Sequence, residues 1–168
     1  MRIIETKVYP FAELSDEAKQ KAIENLYDIN VDHEWWDGVY EDAKNIGLKI
    51  TSFELDRNRN ATGEFLYAAN EVAQDIFKNH GESCETFKTA TKFMEQWQPL
   101  FSNYMDENSE NYENDEELME CEEQFLNDLL EDCSVMLQKG CEYLQSAEAI
   151  KETIEANEYE FTEDGKLI

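Results

Sequence analysis

"LKITSFELDRNRNATGEFLY", Leu48 to Tyr67, is where the hydrophobic period of this 168-residue chain changes. On either side, apolar residues recur every three to four positions. Within the stretch, residues alternate, with Ile50, Ser52 and Glu54 on one face and Lys49, Thr51, Phe53 and Leu55 on the other. Period two is the pattern of a strand, because successive side chains point to opposite faces. A polar turn around Arg57 to Thr62 separates two such runs, so the stretch predicts a β-hairpin. A hairpin embedded among helical segments removes the chain from the all-α class.

Working outward, "ELSDEAKQKAIENLYDIN" predicts an amphipathic helix. Ser15 is its N-cap, Asp16 and Glu17 face the positive end of the dipole, and Ala18, Ala22, Ile23 and Leu26 lie at helical spacing. "VDHEWWDGVYEDAKNIG" repeats the logic, with Asp32 as cap, a stripe of Trp35, Trp36, Val39, Tyr40, Ala43 and Ile46, and Gly47 as the stop. After the hairpin, "NEVAQDIFKNHG" ends at Gly81. "CETFKTATKFMEQWQPLFSNYM" follows with Phe87, Phe93, Met94, Trp97, Leu100, Phe101 and Tyr104, and Pro99 is expected to kink or break it. Leu118, Cys121, Phe125, Leu129, Cys133, Met136 and Gly140, widened by Leu126, Leu130 and Leu137, predict a long helix with a broad buried face. Ser146 caps a last helix carrying Ala149, Ile150 and Ile154.

At the two ends, "RIIETKVY" reads as a strand stopped by Pro10, and Glu163-Asp164-Gly165 as a hairpin turn between short strands. With no internal repeat and no Gly/Ser/Pro-rich linker, the expectation is an α+β fold: one domain over residues 1–168, with 103–145 as an acidic helical subregion. A small antiparallel sheet of the N-terminal strand, the hairpin and the C-terminal strands would pack against several helices.

Charge narrows the function. Forty acids against fourteen bases give a net charge of -26. From Phe93 to Gln138, forty-six residues contain no Lys, Arg or His but fourteen acids, thirteen of them between Asp106 and Asp132. Bare nucleic acid and anionic membranes are repelled by such a chain, so the expected partner is a basic protein or nucleoprotein complex. The acids expected at the interface are Asp106, Glu107, Glu110, Glu113, Asp115, Glu116, Glu117, Glu120, Glu122 and Glu123. On a helix rising 1.5 Å per residue the thirteen acids span about 40 Å, or roughly one charge per 3 Å, close to the 3.4 Å spacing along one DNA strand. The plain alternative is a solvated helix face. Trp35 and Trp36 diverge by about 100° on a helix, so one is expected in the core and the other as an aromatic anchor at an interface.

Catalytic and metal chemistry find little purchase. Asp106, Asn108, Glu110 and Glu117 match positions 1, 3, 5 and 12 of a calcium loop, but Asn111 stands where the sharp turn takes glycine. "HEWWD" lacks the second histidine of a zinc-protease helix, and His80 with Cys84 in "HGESC" has no orienting third group in the sequence. Phosphate loops and nucleophile elbows are absent from the string, so no enzyme activity, cofactor or metal is expected. Cys84, Cys121, Cys133 and Cys141 form no CxxC pair and are expected as buried free thiols. No signal-peptide core and no run of about 18 apolar residues is present, which points to the cytoplasm. Arg57 and Arg59 stand together in the hairpin turn, either solvated or in contact with a phosphate or the protein's own acidic face.

The strings "FAELSDEAKQKAIEN", "HEWWDGVYEDAKNIGLKI", "FELDRNRNATGEF", "HGESCETFKTA" and "ANEYEFTEDGKL" resemble a family of small acidic proteins carried by bacteriophages and other mobile elements, sometimes labelled antitoxin-like. The resemblance covers most of Met1 to Thr91 and about the last twenty residues. The acidic middle is less typical of it. It implies a viral protein acting in the host cytoplasm, an anti-defence inhibitor of the anti-CRISPR kind. As a DNA mimic, such a protein would occupy the nucleic-acid site of a CRISPR or restriction complex through protein–protein contact. The alternative it implies is an antitoxin-like or regulatory partner that neutralises one basic toxin.

Overall fold

The structure, a computed structural model, describes residues 7–105 and 112–168, with side chains from Glu116 onward in the second stretch. In chain order the elements are β1 (Tyr9–Pro10), a 3-10 turn (Phe11–Glu13), α1 (Asp16–Asn25), α2 (Asp37–Asn45), β2 (Leu48–Glu54) and β3 (Asn60–Phe65). They continue with α3 (Ala69–Asn79), α4 (Glu85–Tyr104), α5 (Tyr112–Leu144), α6 (Ala147–Ala156) and β4 (Glu160–Phe161). The fold is α+β, six α-helices with antiparallel strands. The strands form two separate two-stranded sheets, β1 with β4 and β2 with β3, where the sequence suggested one. β1 and β4 are two residues each, and the other side of β4 is taken by the chain end, where Phe161 bridges Leu167 and the Ile168 N–H donates to the Glu160 carbonyl at 3.1 Å. By contacts the chain divides into two compact units, one made of the chain up to Trp35 with Lys139–Ile168, the other of Trp36–Gln138.

In the first unit, Ser15 caps α1 by accepting the Ala18 N–H at 3.2 Å, and Ser146 caps α6 by accepting that of Ala149 at 3.2 Å. Both caps satisfy donors the helix leaves open. The apolar faces of α1 and α6 close over Phe11, Leu14, Ala18, Ala22, Ile150, Ile154 and Phe161. Buried Asn30 is satisfied on both ends of its amide: Nδ2 donates to the Leu144 carbonyl at 2.9 Å, and Oδ1 accepts from Thr153 at 2.6 Å. Of the strand expected over residues 2–9, the stretch up to Thr6 lies outside the described residues, and pairing is seen at Tyr9 opposite Phe161. The expected C-terminal turn is present. Gly165 takes φ +85° and lies so close to α1 that a Cβ there would sit 2.2 Å from the Ala18 carbonyl oxygen.

In the second unit the hairpin pairs Leu48 with Phe65 and Glu54 with Asn60, as its period predicts. A bulge between Ile50 and Ser52 breaks the expected faces. Leu48 and Ile50 are buried, whereas beyond the bulge Phe53 turns inward and Ser52 and Glu54 turn out. α2 begins at Asp37 instead of after Asp32, because the Trp35 N–H turns back onto the His33 carbonyl at 2.8 Å in a three-residue turn that no helix contains. Its stop at Gly47, φ +83°, is as expected. No break occurs at Pro99. α4 runs through it, with Trp97 and Phe101 stacked at 4.4 Å on either side in sequence. α5 is 33 residues long and buries Leu118, Phe125, Leu129, Leu130, Cys133 and Leu137, while Met136, placed in the stripe by spacing, is exposed.

Arg59 ties the hairpin turn to α5. Its Nε donates to Ser134 Oγ at 3.2 Å, one Nη to Gln138 at 2.8 Å, and the other pairs with Glu131. Of the readings open for this arginine, the contact with the protein's own acidic helix is the one realised. Arg59→Ala is expected to lower stability by about 1–2 kcal/mol, a charge-assisted set discounted for its partial exposure. Arg59→Lys should recover little, since one ammonium does not reproduce a three-way fork. Gly165→Ala should cost at least about 2 kcal/mol through its positive φ and the Ala18 contact. Urea unfolding followed by circular dichroism measures all three, and an unchanged midpoint for Arg59→Ala would deny the clamp any role.

Candidate functional site

α4 and α5 run antiparallel, and their side-chain pairs fix the register. Phe93 stacks on Phe125 at 4.1 Å, Trp97 Nε1 donates to Glu122 at 2.9 Å, Lys92 meets Asp128 at 3.1 Å and Thr89 donates to Asp132 at 2.7 Å. These contacts divide the acidic row. Glu122, Asp128, Glu131 and Asp132 spend their oxygens inside the fold. Glu116, Glu117, Glu120 and Glu123 are exposed and make no hydrogen bond or ion pair to another described residue.

At 100° per residue, Glu116, Glu120 and Glu123 fall within a stripe about 60° wide on the side of α5 away from Phe125. Counting Glu117, which points about 60° off this stripe, four exposed carboxylates rise through about 10 Å in the seven steps from Glu116 to Glu123, an average of roughly 3.5 Å between successive charges. Of the other acids expected at the interface, Asp106, Glu107 and Glu110 lie outside the described residues, as does most of the calcium-loop register. Glu113 and Asp115 are on α5 with their side chains likewise outside. Among the described residues no group of three His, Cys, Asp or Glu side chains is arranged to hold a metal ion.

The two tryptophans separate between the units. The Trp35 ring lies against Gly140, where a Cβ would come 3.5 Å from it, and Trp36 meets Phe53 edge-on at 5.4 Å. Both are half-buried, so neither is the core tryptophan expected of the pair. His80 does not engage Cys84. Its Nδ1 lies 2.7 Å from Thr86 Oγ1 and its Nε2 3.4 Å from an Asp42 oxygen, which joins α2 to the start of α4. Of the four cysteines only Cys133 is buried; Cys84 is exposed and the other two are half-buried.

A cleft of about 370 Å³ lies between α2 and the hairpin, lined by Asp37, Tyr40, Lys44, Lys49, Ile50 and Leu66 among others. Lys49 is paired with Glu64 at 2.8 Å. Spacing alone does not reveal Met119, an exposed methionine one turn from Glu116, Glu120's neighbour, and one turn from Glu123. Its signal is an apolar residue off the stripe of a helix that is otherwise well patterned.

In comparisons with known proteins, no family model, curated protein or solved structure matches the chain. Among the described residues no helix is long and apolar enough to cross a membrane.

Burial raises the Asp132 carboxyl above its ordinary value, with Glu85, Asp128 and Glu131 adding to the effect and the Thr89 hydrogen bond opposing it. A carboxyl raised on folding is favoured protonated, so the folded state gains stability as pH falls through that raised value. Asp132→Asn, which retains an acceptor for Thr89, is expected to raise the urea midpoint at neutral pH and to remove part of the gain on mild acidification. Burial, followed by the charges of Asp132 and Asp42, pushes the Cys133 thiol up to about 12. Cys84 should therefore alkylate first in the folded protein, and Cys133 only on unfolding, as peptide mass spectrometry will show.

Proposed function

We propose that the protein is a non-catalytic acidic inhibitor of viral origin, which occupies the nucleic-acid-binding surface of a basic host defence effector such as a CRISPR or restriction complex. The observation that supports this reading is the free stripe of Glu116, Glu120 and Glu123 with exposed Glu117 beside it. Its carboxylates project from one helix at an average axial density of roughly one per 3.5 Å, comparable with the 3.4 Å of phosphates along one DNA strand. Rigid placement matters because a partner's Lys and Arg side chains then meet charges already in position, and little ordering entropy is lost on contact.

The acids tied to Trp97, Lys92, Arg59 and Thr89 hold the helix so that its free side faces solvent. In this reading they support the surface and do not form it. The resemblance to proteins of mobile elements is in keeping with such a role.

Pull-down from a host lysate supplies the effector for the test. Reversing Glu116, Glu117, Glu120 and Glu123 to Lys should abolish inhibition with the circular dichroism spectrum retained. Surface kinetics should show an on-rate that falls about tenfold from low to physiological salt, an off-rate that moves less, and competition by the effector's own DNA or guide. Simultaneous binding of nucleic acid with an on-rate flat in salt removes the mimic reading.

A further inference from the structure

The cleft of about 370 Å³ beside the hairpin has one face of α2 as a wall. Asp37, Tyr40, Glu41 and Lys44 follow one another at helical spacing and share that face, with Asp37 and Lys44 about 10 Å apart along the axis. Lys49, Ile50 and Leu66 form the opposite wall. The chain reverses at Gly47 between α2 and β2, which orders the cleft from end to end. Lys44 lies toward Lys49 and toward Leu66, whose N–H donates to the Gly47 carbonyl at 2.8 Å. Tyr40 lies further along, edge-on to Phe53 at 6.2 Å, and Asp37 beyond it.

The polar groups of this face are unused by the fold. Among the described residues the side chains of Asp37, Glu41 and Lys44 make no hydrogen bond or ion pair, and the Tyr40 hydroxyl has no hydrogen-bond partner. Burial raises the Tyr40 phenol above its ordinary value, so the hydroxyl is a donor at neutral pH. Ile50 is buried and Leu66 is exposed, which gives the cleft an apolar wall that solvent reaches. A concavity of several hundred Å³, apolar in part and edged by a few convergent polar groups, is the common form of a small-molecule site.

We infer that this cleft binds a free α-amino acid with a bulky apolar side chain, its carboxylate on Lys44, its ammonium on Glu41 and its side chain against Tyr40, Ile50 and Leu66. The inference does not depend on the acidic stripe of α5.

Charge and size select that ligand. A simple anion is repelled by a chain of net charge -26, and a simple cation would face Lys44 with nothing to offer it. A zwitterion carries no net charge and satisfies both signs. Glu41 and Lys44 are one turn apart on the helix surface, with about 5–6 Å between their Cβ atoms, so an ammonium and a carboxylate borne on one carbon reach both. At about 30 Å³ per water the cleft has room for about a dozen waters, enough for phenylalanine or leucine and too little for a peptide of several residues.

The test titrates the full chain with phenylalanine, leucine and alanine, and with two truncated probes, 3-phenylpropionate, which lacks the ammonium, and 2-phenylethylamine, which lacks the carboxylate. Ligand-observed NMR should show phenylalanine and leucine binding, and phenylalanine at least about fivefold more tightly than alanine or either truncated probe. Lys44→Gln should abolish the advantage of phenylalanine over 2-phenylethylamine, and Glu41→Gln its advantage over 3-phenylpropionate; both positions are exposed, so both variants are compatible with folding. A general disturbance of the cleft would weaken all the ligands alike and would not produce this crossed pattern. Failure of both phenylalanine and leucine to bind at about 10 mM overturns the inference. So does equal binding of phenylalanine and the truncated probes, or a wild-type preference retained in both variants.

Discussion

Phe93 stacked on Phe125 at 4.1 Å and 5° is the contact on which the second unit turns. Phe125 also receives Phe65 of the hairpin at 5.4 Å, so one buried ring joins α4, α5 and β3. Its burial contributes about 2–3 kcal/mol by area, and its geometric effect is larger than that number suggests. A helix has one rotational freedom about its axis, and this stack removes it for α5. Once Phe125, Leu129 and Cys133 face inward, every acid on the helix has its direction decided. Glu122, Asp128 and Asp132 flank the apolar seam and find polar atoms on α4, whereas Glu116, Glu120 and Glu123 lie opposite and find solvent.

That division explains what a reader of the sequence sees and misses. The hairpin, the caps at Ser15 and Ser146, the stop at Gly47, the turn at Gly165 and the inward face of α5 are local or periodic features, and each is present. The bulge at Thr51, the late start of α2 and the unbroken α4 depend on hydrogen bonds and ring contacts with no counterpart in local pattern. The acidic row was visible as composition, but its separation into tied and free carboxylates was not, because it rests on which residues of α4 and the hairpin turn arrive opposite each one. Arg59 lies between these cases. Its place in the turn left three partners open, and its bonds to Glu131, Ser134 and Gln138 are long-range facts.

The tied acids also bear on how a chain of this charge stays folded. Lys92 and Arg59 pair with Asp128 and Glu131 of α5, beside an apolar face that buries Phe125, Leu129, Cys133 and Leu137. Asp132 is the costly position, half-buried among Glu85, Asp128 and Glu131, with one hydroxyl as its partner. Such a group opposes folding at neutral pH, and the packing of α4 on α5 offsets it.

The same packing sets where free charge is tolerable. Along α5 the hairpin covers the outward side from Leu130 onward, where Arg59 closes over Ser134, and a row of unpaired carboxylates there would be desolvated against the sheet. Toward the start of the helix no described strand reaches that side, and carboxylates retain their water. At that end of the unit Phe101 and Tyr104 of α4 and Met119 of α5 are exposed. Anionic and apolar side chains are therefore both released where the core ends, but on different sides of α5: the carboxylates lie opposite Phe125, and the rings of α4 lie on the Phe125 side.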